Sequence, residues 1–255
     1  MLHHYEEPCI SGAENDKGSG AIFFAGCNLK CVFCQNYEIS YFNKGKNISV
    51  KKLVSIIKHL EKAGALNINL VTPTHFTQQI IQALNIYKPK IPVVWNSGGY
   101  ETKSTIEQLS GLVDIYLVDM KYASNELALR YSKAANYVEN NKEVVLEMVH
   151  QQPQNIFENG LLKKGVIIRH LILPTHTDDS LRCLDFVADK IGKNVIVSLM
   201  SQYEPRFRAN EYQEINRKIT PLEYKRVVNH ALKLGLMNCY TQDLSSADSK
   251  YTPKF

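Results

Sequence analysis

The sequence predicts an α/β protein in which six strand–helix units follow one another and the strands are parallel. Apolar runs alternate along the chain with helical patterns, and such a succession implies right-handed crossover connections. The runs are continuously apolar, as in strands that are covered on both faces. A closed barrel of this kind has eight strands, so the predicted strands are too few to close one. A partial barrel or an open doubly wound sheet is therefore expected.

The predicted strands, in chain order, are Ala21–Gly26, Asn67–Pro73, Pro92–Gly99, Asp114–Tyr122, Val166–Pro174 and Asn194–Tyr203. The predicted helices are Ile48–Gly64, about His75–Tyr87, near Thr105–Leu112, a helical region over about Asn125–His150, Leu181–Gly192 and Pro221–Gly235. The first helix is amphipathic, because Leu53, Ile57 and Leu60 recur at three- and four-residue steps. Gly64 is a residue type that commonly ends a helix.

Composition limits the domain count and the class of partner. The chain has 255 residues, of which 44% are hydrophobic, so we expect one domain over residues 1–255 with its core at about 18–245. The net charge of +5 is a mild excess without a long Lys/Arg run, so no nucleic-acid partner is expected. No apolar run reaches the roughly 18 residues of a membrane span, and the first residues lack the apolar stretch of a secretion signal. We therefore expect a cytoplasmic protein, no membrane association and reduced thiols.

A polar or chemically special residue stands at the end of each predicted strand. These residues are Cys27, Thr72, Asn96, Asp119, Arg169 and Gln202. In a partial barrel and in an open parallel sheet, ligands bind at the carboxyl ends of the strands. We therefore expect these side chains to converge on one face, although they are far apart in the sequence.

Three of the six cysteines, Cys27, Cys31 and Cys34, follow the first strand in the spacing C-x3-C-x2-C. Clustered thiolates bind soft metals or iron–sulfur clusters. Zinc with a distant histidine as the fourth ligand is one interpretation, and a disulfide is a weaker one. The sharper interpretation is a cluster with one iron left free to bind a small molecule. Cys9, Cys183 and Cys239 are isolated and are expected to be buried free thiols, with an extra ligand role for Cys9 left open.

The stretch G-C-N-L-K-C-V-F-C-Q-N, Gly26–Asn36, resembles the signature of the radical S-adenosylmethionine (SAM) superfamily, including the aromatic Phe33 before the last cysteine. GSGAIFFAGCN, DIYLVDMKY and VIIRHLILP resemble stretches of pyruvate formate-lyase activating enzymes. EEPCISG, CVFCQNYEIS and WNSGGY resemble an uncharacterised, activating-enzyme-like branch. The resemblance covers about residues 5 to 245. It implies a partial (β/α)6 barrel of the radical SAM type.

The resemblance also implies two cofactors, a [4Fe-4S] cluster held by Cys27, Cys31 and Cys34, and SAM bound to the fourth iron. An electron from the cluster would then cleave SAM to methionine and a 5′-deoxyadenosyl radical. The residues matched to SAM or cluster contacts are Phe33, Asn96, Ser97, Asp119, Lys121 and Arg169.

Each of these residues also has a purely structural interpretation. Phe33 belongs equally to an ordinary core, and Asn96 and Ser97 precede the turn residues Gly98 and Gly99. Lys121 and Arg169 suit a SAM carboxylate but equally an ion pair with Asp119.

Two positions depart from the family pattern. The usual G-G-E stretch that binds the SAM amino group is here V-T-P-T-H, Val71–His75, so backbone groups near Thr72 and Pro73 are expected to serve instead. Related activating enzymes bind a monovalent cation with acids at the positions of Asn96 and Asp119. The first position is an asparagine here, so the sequence leaves the cation site open.

The resemblance implies a protein substrate, namely a glycyl radical enzyme on which the chain installs a glycine-centred radical. It also implies an electron donor such as flavodoxin or ferredoxin. Modification of another protein, a peptide or a small metabolite is the alternative, since the cluster motif fixes how the radical forms and not its target. A non-catalytic metal-binding module is a lesser alternative.

Overall fold

The computed structural model describes residues 1–13 and 16–244. The strands in this part of the chain are β1 (Leu2–His3), β2 (Ser19–Phe23), β3 (Ile68–Val71), β4 (Val93–Ser97), β5 (Ile115–Asp119), β6 (Ile156–Glu158), β7 (Leu161–Leu171), β8 (Ile196–Met200) and β9 (Cys239–Thr241). The α-helices are α1 (Pro8–Ser11), α2 (Tyr37–Ser40), α3 (Val50–Lys62), α4 (Thr77–Ile86), α5 (Lys103–Glu107), α6 (Asn125–Ser132), α7 (Tyr137–Gln151), α8 (Thr177–Phe186) and α9 (Pro221–Leu234). The predicted core limit at residue 245 lies just outside the described residues.

One sheet contains all these strands, in the order β1-β2-β3-β4-β5-β7-β8-β9, with β6 paired to β7. The six predicted strands correspond to β2, β3, β4, β5, β7 and β8, and neighbouring pairs among them are parallel. The predicted fold class is therefore confirmed: an α/β fold with a mostly parallel sheet, consistent with the partial barrel of radical SAM proteins. Among the described residues, β1 and β9 are the edge strands at the two ends of this order.

Three strands were missed because they are only two or three residues long. β1 pairs antiparallel with β2, through Leu2↔Gly20 and His3↔Ser19. β6 forms an antiparallel hairpin with β7, and β9 adds a further parallel strand beside β8. Strands this short carry too few side chains to show a hydrophobic period, and neighbouring strands decide whether they form.

Three predicted helix boundaries were wrong. The region 125–150 is two helices, because Lys133 and Asn136 adopt left-handed backbone conformations between α6 and α7. The helix predicted at Leu181–Gly192 begins at Thr177 and ends in a π turn over Val187–Ile191. The helix predicted near 105–112 is Lys103–Glu107, since the Thr102 hydroxyl accepts from the Thr105 amide and so starts the helix earlier.

The sheet has a different core on each of its two faces. Most helices pack on the outer face around fully buried side chains such as Trp95 and Tyr116. On the inner face, α1 inserts Cys9 and Ile10 against strand residues that include Ile115. The inner core is completed by Val94, Leu117, Leu162, Ile167 and Ile196, with Tyr240 packed against it. Residues 4–7 therefore run from the sheet edge at β1 to the inner face at α1. No helix in the described part of the chain has the length and hydropathy that a membrane span requires.

Candidate active site

A cavity of about 550 Å³ lies at the carboxyl ends of the parallel strands. The predicted site residues that line it are Cys27, Cys31, Cys34, Asn96, Ser97, Asp119, Lys121 and Arg169. Thr72 and Gln202 line it as well, so the structure brings together the residues that end all six predicted strands. Phe33 lines a smaller adjoining space of about 190 Å³, next to Cys31 and Cys34.

The cysteine loop follows β2 and is held by the core on one side. Val32 is buried in the core, whereas the three cysteines line the cavity together with the buried Leu29. The Val32 amide donates to the Tyr131 carbonyl (2.8 Å), which attaches the loop to α6. Gly26 has φ +85°, and a Cβ there would lie 3.1 Å from His75 Nε2, so a glycine suits the turn that opens the loop. The spacing of apolar and thiol residues thus aims the three thiols into one space.

The three thiols interact electrostatically, and burial keeps them protonated in the absence of metal. Burial raises the pKa of Cys27 to about 12 and that of Cys34 to about 11, and the neighbouring Cys31 thiol adds to both shifts. Burial raises the pKa of Cys31 as well, although Lys121 and the Ser132 hydroxyl, 3.0 Å from Cys31 Sγ, oppose that shift. A cationic metal centre is the partner that would stabilise three such thiolates, with release of their protons.

This donor set fits a [4Fe-4S] cluster that keeps one iron open, since it supplies three soft ligands from one loop. No three His, Cys, Asp or Glu side chains within residues 1–13 and 16–244 are arranged to bind a single metal ion. Cys9 lies in the inner core and does not line the cavity.

Asp119, at the end of β5, forms ion pairs with both predicted cations. Lys121 Nζ lies 2.5 Å from Asp119 Oδ2, and Arg169 Nε donates to Asp119 Oδ1 at 2.8 Å. The second arm of the Arg169 fork donates to Asn96 Oδ1 at 2.7 Å. Burial alone would raise the pKa of Asp119, but Arg169 and Lys121 together hold it below its ordinary value. The structural alternative that the sequence left open, an ion pair with Asp119, is thus present in the structure.

A polar scaffold beneath the site fixes the ends of β4 and β5. The Tyr137 hydroxyl donates to the Gly98 carbonyl and accepts from the Lys121 amide, each at 3.0 Å. Asn141 Nδ2 donates to the carbonyls of Gly99 (2.9 Å) and Asp119 (3.0 Å). The turn after Asn96 and Ser97, predicted from S-G-G, is therefore tied directly to the strand that carries Asp119.

Phe33 has the environment of a core residue. It is 7% exposed, and its ring meets Tyr203 edge-on with centroids 5.6 Å apart. The residue therefore packs behind the cysteine loop and reaches only the smaller space.

Sequence reasoning missed several residues of the cavity. His3, His4, Tyr5 and Glu6 line it from the N-terminal segment, and Gln242 lines it from beyond β9. The resemblance of EEPCISG to a family branch was the one signal in that segment, and it carried no assigned role.

Two further features lie at the ends of β3 and β4. Thr72 has φ +58°, an uncommon backbone conformation for a β-branched residue. Glu101 is 4% exposed, accepts from Thr74 Oγ1 at 2.8 Å and has its pKa raised by burial. Neither feature can be recognised from residue type alone.

The model of the radical SAM superfamily matches residues 21–187, which contain the cysteine loop and the Asp119–Arg169 pair. That stretch is more than half of the chain, so the chain belongs to the radical SAM superfamily. Proteins of this superfamily use a [4Fe-4S] cluster and SAM. The finer branch of pyruvate formate-lyase activating enzymes is not distinguished by this match.

Three relatives illustrate the range of similar proteins. The uncharacterized protein MJ0674 of Methanocaldococcus jannaschii is 38% identical over 232 residues, which are 86% of this chain and 63% of the relative. Streptococcus suis SuiB bound to SAM has a TM-score of 0.63 at 14% identity, over 90% of this chain and 52% of SuiB. Methylornithine synthase (PylB) has a TM-score of 0.56 at 12% identity, over 87% of this chain and 63% of that chain. The two solved structures share the fold, and this chain spans between half and two thirds of the relatives' lengths.

Proposed function

We propose that this chain is a radical SAM enzyme that removes hydrogen from a protein substrate, with a glycine of a glycyl radical enzyme as its target. The observation that carries the proposal is the convergence of three thiols and a partly buried Lys–Asp–Arg group on one cavity. When bound there, the [4Fe-4S] cluster and SAM would supply the chemistry, namely reductive cleavage of SAM to a 5′-deoxyadenosyl radical.

The chain's own residues hold and orient these groups. Cys27, Cys31 and Cys34 are the proposed cluster ligands. Lys121 and Arg169 provide positive charge toward the SAM carboxylate, and Asp119 fixes both side chains in place.

The remaining contacts are assigned to neighbouring strand ends. Asn96 and Ser97 are proposed to bind the ribose or methionine part of SAM, and Phe33 forms part of the apolar wall behind the cluster. Backbone groups at Thr72 and Pro73 are proposed to accept the SAM amino group.

A peptide or small-metabolite substrate is the second candidate. SuiB has been solved bound to its precursor peptide SuiA, and this chain shares its fold at a TM-score of 0.61. The N-terminal segment that lines the cavity in this chain also favours a substrate small enough to enter beside it. A non-catalytic module is disfavoured by the strand-end cations, which a sensing site would not need.

The remaining sequence-based expectations stay part of the proposal. They are a single domain over residues 1–255, a reducing cytoplasmic location in line with the free cysteines, and an electron donor such as flavodoxin or ferredoxin.

The test is anaerobic reconstitution of the full chain with iron and sulfide, followed by addition of dithionite and SAM. We expect a brown protein with about one cluster per chain and release of 5′-deoxyadenosine. Cys34→Ala should lose both, whereas Cys183→Ala, in the outer core, should keep both. A colourless zinc protein, or equal losses in both variants, would contradict the proposal.

The activase assignment has its own test. A glycyl radical enzyme encoded near this protein's gene is mixed with the reduced, SAM-loaded chain, and electron paramagnetic resonance is recorded. A glycine-centred doublet supports the assignment. Release of 5′-deoxyadenosine without any doublet directs the proposal to the second candidate.

A further inference from the structure

The N-terminal segment is attached to the barrel on both sides of the residues that enter the cavity. The Met1 ammonium group donates to the Ala21 carbonyl at 3.0 Å, and β1 pairs with the edge of β2. Beyond the cavity, the Ile10 carbonyl accepts from Asn67 Nδ2 at 2.8 Å, and α1 is buried in the inner core. Residues 3–6 are therefore held as a fixed wall between two anchored ends.

Glu6 is the central side chain of this wall. Its side chain is 6% exposed, and Oε1 accepts from Asn69 Nδ2 of β3 at 2.6 Å. The other oxygen, Oε2, has no hydrogen-bond partner among the described residues. A buried carboxylate oxygen without a donor is unfavourable by about 1–3 kcal/mol, more when charged, so a donor from a bound molecule would stabilise it.

The neighbouring His3 does not supply that donor. The Tyr5 amide donates to His3 Nδ1 at 3.2 Å, so Nδ1 carries a lone pair and cannot donate to Glu6 Oε2, 3.3 Å away, when Glu6 is ionised above pH 7. Burial lowers the pKa of His3 to about 4, which keeps the ring neutral at physiological pH. Its proton is therefore on Nε2, which is buried and has no partner in the described part of the chain.

The cations of the cavity also leave Glu6 Oε2 without a hydrogen-bond donor. The two partly buried cations, Lys121 and Arg169, both pair with Asp119, and the second arm of Arg169 donates to Asn96. Arg169 is near enough to oppose the raised pKa of Glu6, yet its hydrogen bonds go elsewhere. Above about pH 7, where Glu6 is ionised, the wall therefore presents a carboxylate to the cavity without a direct cationic partner.

We propose that the segment His3–Glu6 is the substrate-recognition wall of this cavity, and that Glu6 Oε2 binds a cationic N–H group of the substrate. An ammonium or guanidinium group would supply both the missing donor and the missing charge. Such a group belongs either to a small amine or to a basic side chain of a peptide. This inference rests on the proposed function, because it names the substrate class of the same site.

The test uses the full reconstituted chain with SAM and measures binding of small probes by isothermal titration calorimetry. The small probes are butylammonium and, as the anionic comparator, butyrate. The peptide probes are acetyl-Gly-Lys-Gly-amide and acetyl-Gly-Glu-Gly-amide. We expect at least one cationic probe to bind about tenfold or more tightly than its anionic comparator, as a charge-assisted hydrogen bond predicts. Tight binding of the peptide alone indicates a peptide substrate, and comparable binding of butylammonium indicates a small amine.

Variants locate the effect. Glu6→Gln should reduce cation affinity about tenfold or more, whereas Glu158→Gln, an exposed glutamate on β6, should leave it unchanged. Glu6→Asp keeps the charge and should keep the preference for the cation. If Glu6→Gln does not fold, the preference for cationic over anionic probes in Glu6→Asp and in the unaltered chain still tests the inference.

Two results overturn the inference. The first is equal or tighter binding of the anionic probes, and the second is unchanged cation affinity in folded Glu6→Gln. Release of 5′-deoxyadenosine by the unaltered chain, measured separately without any probe, tests the proposed function alone. The two failures are therefore distinguishable.

Discussion

The two ends of the barrel carry cavities of similar size and opposite chemistry. The cavity at the amino ends of the strands is the larger, at about 650 Å³, against about 550 Å³ at the carboxyl ends. Its described lining contains no Asp, Glu, Lys, Arg or His, and it includes Asn155, Phe157 and Cys239. The carboxyl-end cavity is lined by three thiols and by several ionisable side chains. These include the acids Asp119 and Glu6, the cations Lys121 and Arg169, and the buried His3. Volume therefore does not identify the site, whereas the chemistry of the lining does.

The largest expected difference between the two ends concerns their thiols. Cys34→Ala removes a proposed cluster ligand and should abolish both the cluster absorbance and 5′-deoxyadenosine release. Cys239→Ala changes a half-buried thiol of the amino-end cavity and should retain both. Iron and sulfide analysis after anaerobic reconstitution provides the comparison. A brown Cys34→Ala protein would mean that the ligands have been misassigned.

The second difference concerns aspartates at opposite ends of β5. Asp119→Asn leaves Lys121 and Arg169 without their shared partner and should lower the free energy of unfolding by about 3–5 kcal/mol. Asp114→Asn, at the amino end, weakens one hydrogen bond to the Val93 amide and should lower it by about 1 kcal/mol. Urea denaturation of both variants without SAM measures this contrast. Equal losses would show that the partly buried ion pairs of Asp119 have no special role in stability.

The third prediction uses the pH dependence of stability at Glu6. Burial raises the pKa of Glu6 from 4.5 to about 7, against the opposing effect of Arg169. The folded protein then holds the proton more tightly than the unfolded chain, so the contribution of Glu6 is full below pH 4.5 and is lost as pH rises through 7. Glu6→Gln should therefore gain stability over the unaltered chain, with the difference growing to about 3 kcal/mol by pH 8.

Other groups around Glu6 must be separated from this effect. Arg169 on β7 keeps its charge over this range because its pKa is raised further by nearby carboxylates, and Asn69 on β3 does not titrate. His3 changes the free energy of unfolding with pH in the opposite direction to Glu6. Its pKa is lowered to about 4, so its contribution to stability is lost as pH falls below 6.5. It is present in both proteins and cancels in the difference. A difference in unfolding free energy that does not vary between pH 5 and pH 8 would contradict the assignment.

The smallest effect is expected at the amino-end cavity. Phe157 is 47% exposed on β6, so Phe157→Ala should change the free energy of unfolding by only about 0.5 kcal/mol. Cluster content and SAM cleavage should match the unaltered chain. A marked loss of SAM cleavage in this variant would show that the two ends of the barrel are coupled.

The sequence was informative where residue type and spacing decide the outcome. Continuous apolar runs identified the six long parallel strands, and the spacing of Cys27, Cys31 and Cys34 identified the loop with three thiols. The rule that ligands bind at carboxyl strand ends predicted that Asp119 and Arg169 would face one site, and the family resemblance added Lys121.

The remaining features depend on long-range contacts that a single sequence does not contain. His3 and Glu6 enter the cavity only because β1 pairs with β2 and α1 packs on the inner face. The break between α6 and α7 depends on left-handed residues that are neither glycine nor proline. That Asp119 would pair with both cations at once was likewise beyond what side-chain types could decide.

The left-handed backbone of Thr72 has a consequence for attempts to make this protein more heat-resistant. A β-branched residue in this conformation raises the energy of the folded state by about 1–3 kcal/mol, and its amide is tied to the Asn96 carbonyl at 2.9 Å. A screen for higher melting temperature would favour glycine at this position, because glycine relieves the torsional load. The same exchange would make the rim of the cavity more flexible, so a gain in thermal tolerance there would weaken binding of the proposed SAM ligand.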